Sequence, residues 1–183
     1  YDTSGTKLTG MGASFEIGKW SKGHWRYSEE VVIRTPGLEF NDLGFMNIAN
    51  TLENDTRLSY VEKENKWIFK DYEVSLSQEN TWNLQGKGLG YGLELGANFN
   101  FLNHWGLYLG AEYSTGIVDE QRLRGGPSIR EPDRFHYMVS MNTDSSKKIY
   151  FSLFAMYMYR ITGNFHFFII SPQVHYRPFS NLH

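Results

Sequence analysis

The chain has 183 residues, about the length of one average domain, and no cysteine, which excludes disulfide bonds, thiolate metal sites and cysteine nucleophiles. Its 18 Lys and Arg residues nearly balance its 20 Asp and Glu residues. The net charge of −2 gives no electrostatic reason to expect nucleic acid as a partner. Aromatic residues make up 16% of the chain and 18 residues are glycine, and both values bear on the fold.

No segment reaches the roughly 18 consecutive apolar residues that a membrane-spanning helix requires. The longest apolar run, 149–159, has the length of a strand. The chain begins at Tyr1 without a signal-peptide pattern, and residues 176–183 have the pattern of a strand, a turn and the start of another strand. We therefore expect a single domain over residues 1–183 that is incomplete at both ends.

Apolar and polar residues alternate along most of the chain, which is the pattern of a β-strand with two different faces. In 89–101, every odd position is apolar and every even position is Gly, Glu or Asn. No amphipathic helix of useful length is found, so the sequence predicts an all-β, antiparallel fold of about nine strands. In chain order these are 8–19, 24–34, 51–62, 67–80, 89–101, 105–114, 134–143, 147–160 and 165–177.

The length of these strands favours a transmembrane β-barrel of the outer-membrane type. Strands of soluble sheets usually have about 5–6 residues, whereas a tilted strand that crosses a bilayer needs about 9–11. Tight turns alternate with longer connections, as they do in outer-membrane barrels, and aromatic residues near strand ends have the positions of interfacial girdles. The tight turns are 21–23, 63–66, 102–104 and 144–146, and the longer connections lie near 35–50, 81–87 and 117–133.

Two observations indicate that this barrel is a part of a longer one. Only residues 161–164 separate the last two predicted strands, where the alternation requires a long loop, so residues are absent at this join if the alternation holds. Bacterial single-chain barrels also have even strand numbers, whereas nine is odd. The chain is therefore expected to be a fragment of a longer barrel, or to contain a further strand that the alternation does not reveal.

A soluble β-sandwich or lipocalin-like barrel, with apolar faces turned inward, is the structural alternative. Against it, the polar face carries many glycines, which a solvated outer face has no reason to prefer because glycine weakens a strand. The apolar face also lacks the size pattern of a packed core. We therefore expect the apolar face to contact lipid and the polar face to line a lumen. The glycines concerned are Gly86, Gly88, Gly90, Gly92, Gly96, Gly106 and Gly110.

Charged residues on the predicted polar faces are the candidate lumen residues, and we select Glu16, Glu94, Glu112 and Arg134. Glu94 and Glu112 lie on two facing strands, which places them near each other for acid–base chemistry, but a solvated lumen is the simpler explanation. The six histidines have no metal-ligand spacing, and no Gly-x-Ser-x-Gly elbow or phosphate-binding loop is present. We therefore predict that this part of the protein is not an enzyme and has no metal or cofactor.

One predicted loop concentrates three arginines, Arg122, Arg124 and Arg130, around a Gly-Gly-Pro turn. Guanidinium groups bind anionic oxygens in a bidentate manner, so these residues are candidate contacts for an anionic glycan. The alternative is that the turn only orders a long loop.

Four segments resemble a Bacteroidetes family of outer-membrane proteins of unknown function. They are Gly-His-Trp-Arg-Tyr at 23–27, Asn-Asp-Leu-Gly-Phe at 41–45, Leu-Arg-Gly-Gly-Pro at 123–127 and Met-Asn-Thr-Asp-Ser-Ser-Lys-Lys at 141–148. The resemblance implies an amino-terminal domain similar to family-nine carbohydrate-binding modules, followed by a barrel that contains this chain. It carries over no catalytic residue.

These inferences predict an outer-membrane β-barrel of a Gram-negative bacterium that anchors or accompanies a carbohydrate-binding module at the cell envelope. Its partners would be the lipid bilayer, a glycan bound through the amino-terminal domain, and other outer-membrane proteins. The first alternative is a channel, or a subunit of a larger complex for transport or protein export, with the polar lumen as its functional part. The second alternative is a soluble β-sandwich binding module.

Overall fold

A computed structural model describes residues 9–38, 49–120 and 126–178 of the chain. Nine long strands form one antiparallel sheet, and each of them pairs with the next long strand along the chain. A two-stranded sheet lies in the connection between β6 and β9. The strands are β1 (Gly12–Lys19), β2 (Trp25–Arg34), β3 (Thr51–Glu62), β4 (Phe69–Trp82), β5 (Gly88–Phe101), β6 (Gly106–Thr115), β7 (Val118–Asp119), β8 (Ile129–Arg130), β9 (Arg134–Asn142), β10 (Ile149–Arg160) and β11 (Phe165–Tyr176).

The prediction of an all-β antiparallel fold with nine long strands is confirmed. The short strands β7 and β8 have no counterpart in the sequence pattern, because two residues are too few to show alternation. Among the described strands, β1 and β11 are each paired on one side only and form the two edges of the sheet. None of the described residues forms a helix long and apolar enough to cross a membrane.

The connections differ between the two ends of the sheet. At one end, which we call the turn end, all four are short: 20–24, 63–68, 102–105 and 143–148. At the other end, the loop end, the long connections 35–50 and 116–133 alternate with the short ones 83–87 and 161–164. The prediction of a long connection near 81–87 is wrong, because β4 continues to Trp82 and leaves only a five-residue turn before Gly88.

The join between β10 and β11 is closed by a tight turn. Arg160 pairs with Phe165, and the turn residues Gly163 and Asn164 have positive φ angles of 88° and 48°. The amide of Ile161 also donates a hydrogen bond of 2.9 Å to the carbonyl of Asp133. The chain as given therefore connects these two strands by a four-residue turn, and the expectation of absent residues at this join stays a prediction.

The sheet buries polar side chains and exposes apolar ones. Thr51, Ser75 and Ser114 are only 0%, 7% and 5% exposed, whereas Leu95 and Phe168 are 53% and 62% exposed. Only three large apolar side chains in the described part of the chain are buried: Leu38, Val61 and Leu89. From β1 to β9 the molecule thus has one sheet with two distinct faces instead of an apolar core between two layers, whereas on β10 and β11 both faces are largely apolar. We call the two distinct faces the polar face and the apolar face.

A pair of glycines shapes the polar face between β5 and β6. Gly96 and Gly110 are cross-strand partners, and the Tyr108 ring lies over Gly110 so closely that a Cβ there would come within 2.9 Å of the Tyr108 hydroxyl oxygen. From this position the Tyr108 hydroxyl donates a hydrogen bond of 3.2 Å to Glu94. Some glycines of the polar face are therefore required by close approach, while Gly86 and Gly88 have open space around them.

Candidate functional site

The polar face encloses a cavity of about 880 Å³. Its wall extends from the first to the seventh strand of the sheet, since Glu16 of β1 and Arg134 of β9 both line it. A sheet whose distant strands share one cavity is strongly curved, with the polar face on the concave side. The connections at the loop end contribute Ile117, Val118 and Glu120, which places the mouth of the cavity at that end.

One row of cross-strand neighbours on the polar face carries carboxylates on β1 to β4 and arginines on β9 and β10. The pairing places Glu16 opposite Glu30, Glu30 opposite Asp55, and Asp55 opposite Glu79. The same row continues through Gly92 and Ser114 to Arg134, whose partner on β10 is Arg160. Like charges directly opposite each other are unfavourable in a sheet, so this arrangement requires water or counter-ions in the cavity.

The next row brings the two predicted facing glutamates together. Glu94 and Glu112 are direct cross-strand partners, as the sequence predicted. Separate donors stabilise them: Tyr108 donates to Glu94, whereas Ser114 donates to Glu112 at 2.5 Å. The His136 Nδ1 also lies 3.3 Å from Glu112. Each carboxylate is therefore held by its own neighbours.

The connections at the loop end are tied to one another by a cluster of polar side chains. Asn50 donates a hydrogen bond of 3.0 Å to Gln85, and Lys87 forms an ion pair of 2.7 Å with Glu120. The buried Asn83 accepts hydrogen bonds from the amides of Gln85 and Lys87 and donates one of 3.2 Å to Glu120. We call these five residues the loop cluster. It links three connections at the mouth of the cavity.

Glu120 is the acidic centre of this cluster. The Lys87 ammonium, followed by the Asn83 amide, holds the pKa of Glu120 below its ordinary value of 4.5. Glu120 is therefore ionised at neutral pH and the loop cluster is formed there.

The predicted site residues fall into two groups. Glu16, Glu94, Glu112 and Arg134 all line the same cavity. In contrast, Arg122 and Arg124 lie outside the described residues, as do segment 41–45 and most of segment 123–127. Arg130 is exposed on β8, where its backbone pairs with Val118. A glycan contact at these arginines stays a prediction.

Sequence reasoning missed Glu30, Asp55 and Glu79, which complete the acidic side of the cavity. The turn alone could not identify Glu30, because the pairing of β1 with β2 is centred on residue 23, whereas the midpoint of connection 20–24 is residue 22 and would place Ser28 opposite Glu16. No group of three or more His, Asp or Glu side chains in the described ranges is arranged to hold a metal ion.

One family model, that of the domain of unknown function DUF5916, matches residues 1–182. No curated protein and no solved structure matches the chain at a significant level. The expectation of a family of unknown function is confirmed, because the match covers almost the whole sequence. The chain belongs to the DUF5916 family.

Proposed function

We propose that this region is a transmembrane β-barrel of the outer membrane of a Gram-negative bacterium, with lipid on the apolar face and water on the polar face. The observation that carries the proposal is the inverted burial of the sheet, with Leu76, Leu95 and Ile170 exposed at 44%, 53% and 55%. Soluble monomers rarely expose contiguous apolar patches of more than a few hundred Å². An apolar outer band around a polar interior is the arrangement of outer-membrane barrels.

Aromatic clusters at both ends of the apolar face support the proposal that this face spans the membrane. Trp and Tyr are favoured at the two membrane–water interfaces. Near the turn end, the Tyr72 ring lies 5.6 Å from Phe69 and 6.2 Å from Tyr60. Near the loop end, the Tyr113 and Phe135 rings are 4.7 Å apart and Tyr159 stacks on His166 at 4.9 Å. β4 is 14 residues long, which is sufficient for a tilted crossing.

The test is an SDS gel of heated and unheated protein extracted from its native membrane. A folded barrel migrates differently before and after heating, and we expect this shift together with a requirement for detergent. Solubility without detergent and no shift would overturn the proposal and favour the soluble β-sandwich instead.

For the role of the barrel, we propose that it anchors or accompanies a carbohydrate-binding module of a Bacteroidetes-type bacterium. This part rests on the family resemblance of the loop segments and not on the cavity. A glycan-array measurement on the natural protein tests it, with residues 1–183 alone as the control. Binding by the natural protein only would support an anchor, and binding by neither would contradict it. No enzymatic activity is proposed for residues 1–183.

The cavity favours a second candidate, a channel or a subunit of a transport or protein-export complex. A volume of about 880 Å³ lined by carboxylates and arginines is the type of interior that conducts ions when it is continuous. Conductance across a planar bilayer distinguishes the two roles: we expect steady conductance from an open lumen and none from an anchor with a filled interior.

A further inference from the structure

The apolar face carries one polar patch, formed by Glu29 of β2, Asn54 and Thr56 of β3, and Gln78 and Asn80 of β4. Cross-strand pairing makes Glu29, Thr56 and Gln78 one row, and Asn54 and Asn80 neighbours in the next. Glu29 accepts a hydrogen bond of 2.6 Å from Thr56 and another from Asn54. Hydrogen bonds thus connect three of the five side chains, and Gln78 and Asn80 lie beside them on β4.

The patch is surrounded by apolar side chains on the same face. Toward the turn end, the next row contains Tyr27, Leu58 and Leu76. Toward the loop end lie Ile33, Leu52 and Trp82. Along the row that contains Glu29, the positions on β5, β6 and β9 are Leu93, Tyr113 and Phe135. The polar residues are therefore a local interruption of an otherwise apolar surface.

The position of the patch along β4 places it within the lipid-facing band. Ten residues separate Tyr72, in the aromatic cluster of the turn end, from Trp82, and at a tilt near 40° they rise about 26 Å. That is about the height of the apolar band of an outer-membrane barrel. Gln78 lies about 16 Å above Tyr72 on the same scale, between the two interfaces.

A carboxylate and three amides are costly in contact with lipid unless they meet hydrogen-bonding partners. We propose that the polar patch is the interface at which a second copy of this chain docks within the membrane. This inference rests on the proposed function, because the patch needs an explanation only if the apolar face meets lipid.

The arrangement of donors and acceptors favours a second copy as the occupant. The row has an acceptor, Glu29, at one end, Thr56 in the middle and an amide, Gln78, at the other end. A two-fold axis along the membrane normal and over β3 places Thr56 near its own equivalent, and it places Glu29 of each copy on the same side of the axis as Gln78 of the other. It also keeps the two carboxylates on opposite sides of the axis, because strands lie about 4.8 Å apart.

Residues 1–183 contain no cysteine, which allows a direct test by cross-linking. We expect the variant Thr56→Cys to form a disulfide-linked dimer under mild oxidation in native membranes, because the axis brings the two Cβ atoms close. The matched control is Leu109→Cys, a change at an exposed position of the same face on β6, which should stay monomeric. No dimer with Thr56→Cys, or equal cross-linking of both variants, would overturn the proposal.

A second variant keeps this inference separate from the proposed function. Replacing Glu29, Asn54 and Thr56 by Leu, Val and Val removes the hydrogen-bonded part of the patch and introduces residues that strands accept well. We expect the triple variant to lose the dimer in detergent, measured by light scattering, and to keep its heat-dependent gel shift. A dimer that survives these substitutions contradicts the interface. A wild-type chain with no heat shift contradicts the membrane barrel itself.

Discussion

Individual side chains on the polar face are held by close packing against glycine. Tyr108 occupies the space above Gly110 and reaches Glu94 only because position 110 has no Cβ. In a different way, Asn83 is required by the turn 83–87, whose amides donate to its side-chain oxygen and whose Gly86 has a positive φ angle of 83°. Gly110 therefore determines the position of the Tyr108 ring, and Asn83 determines the conformation of turn 83–87.

Gly110→Ala should therefore destabilise the sheet, while Gly92→Ala should have little effect. A Cβ at position 110 displaces the Tyr108 ring, at the cost of about 1–3 kcal/mol typical of overpacking. A Cβ at position 92 comes no closer than 3.7 Å to the nearest side chain, Glu79. Urea unfolding from lipid vesicles measures the difference. Equal unfolding free energies for the two variants would show that Tyr108 relaxes without loss.

At the scale of the elements, the connections of the loop end act together. The loop cluster joins the end of connection 35–50, turn 83–87 and connection 116–133 through side-chain hydrogen bonds and one ion pair. Glu120 is part of this link, and its lowered pKa makes the link depend on pH. Because the folded-state pKa is lowered, the stabilisation is present above the ordinary value of 4.5 and is lost as the pH falls through the lowered pKa.

Lys87→Met should raise the pKa of Glu120 toward its ordinary value, because the hydrogen bond to Lys87 is the largest cause of the shift. An NMR titration of the Glu120 carboxyl carbon measures this change. The control is Lys147→Met, which removes the same charge beside Asp144 in a turn at the opposite end of the sheet. An unchanged Glu120 titration in Lys87→Met would mean that the ion pair does not form in solution.

At the scale of the whole molecule, the two faces require different surroundings. In the proposed membrane barrel, the exposed apolar face contacts lipid and the charged rows of the concave face contact water. A substitution by arginine should therefore be unfavourable on the apolar face and favourable on the polar face, even when both positions are on one strand.

Leu95→Arg and Asn98→Arg test this expectation on β5. Leu95 is on the apolar face, where an arginine near the bilayer midplane costs about 2–4 kcal/mol. Asn98 is on the polar face, opposite Glu73 and Tyr108, where an added guanidinium gains a nearby carboxylate. The measurement is the fraction of protein that folds into lipid vesicles. Equal loss for both variants would contradict the assignment of lipid to the apolar face.

Much of the fold could be predicted because alternation is a local property. In 89–101 and 134–143 each residue's face follows from its parity alone, so the strands and the facing pair Glu94 and Glu112 were predicted correctly. The length of the connection near 81–87 was not predicted correctly, because the end of a strand depends on its pairing with neighbouring strands. Trp82 is part of β4 because it pairs with Leu52 of β3 and with Gly88 of β5.

The sequence by itself determined the strand number, the two faces and the family resemblance, because these depend on periodicity and short segments. Only the tertiary structure decided which charges share a cavity. Glu16 and Arg134 are far apart in the chain and meet around one space because the sheet curves. It also decided that five polar residues from three strands form a patch on the apolar face, because cross-strand register places them side by side.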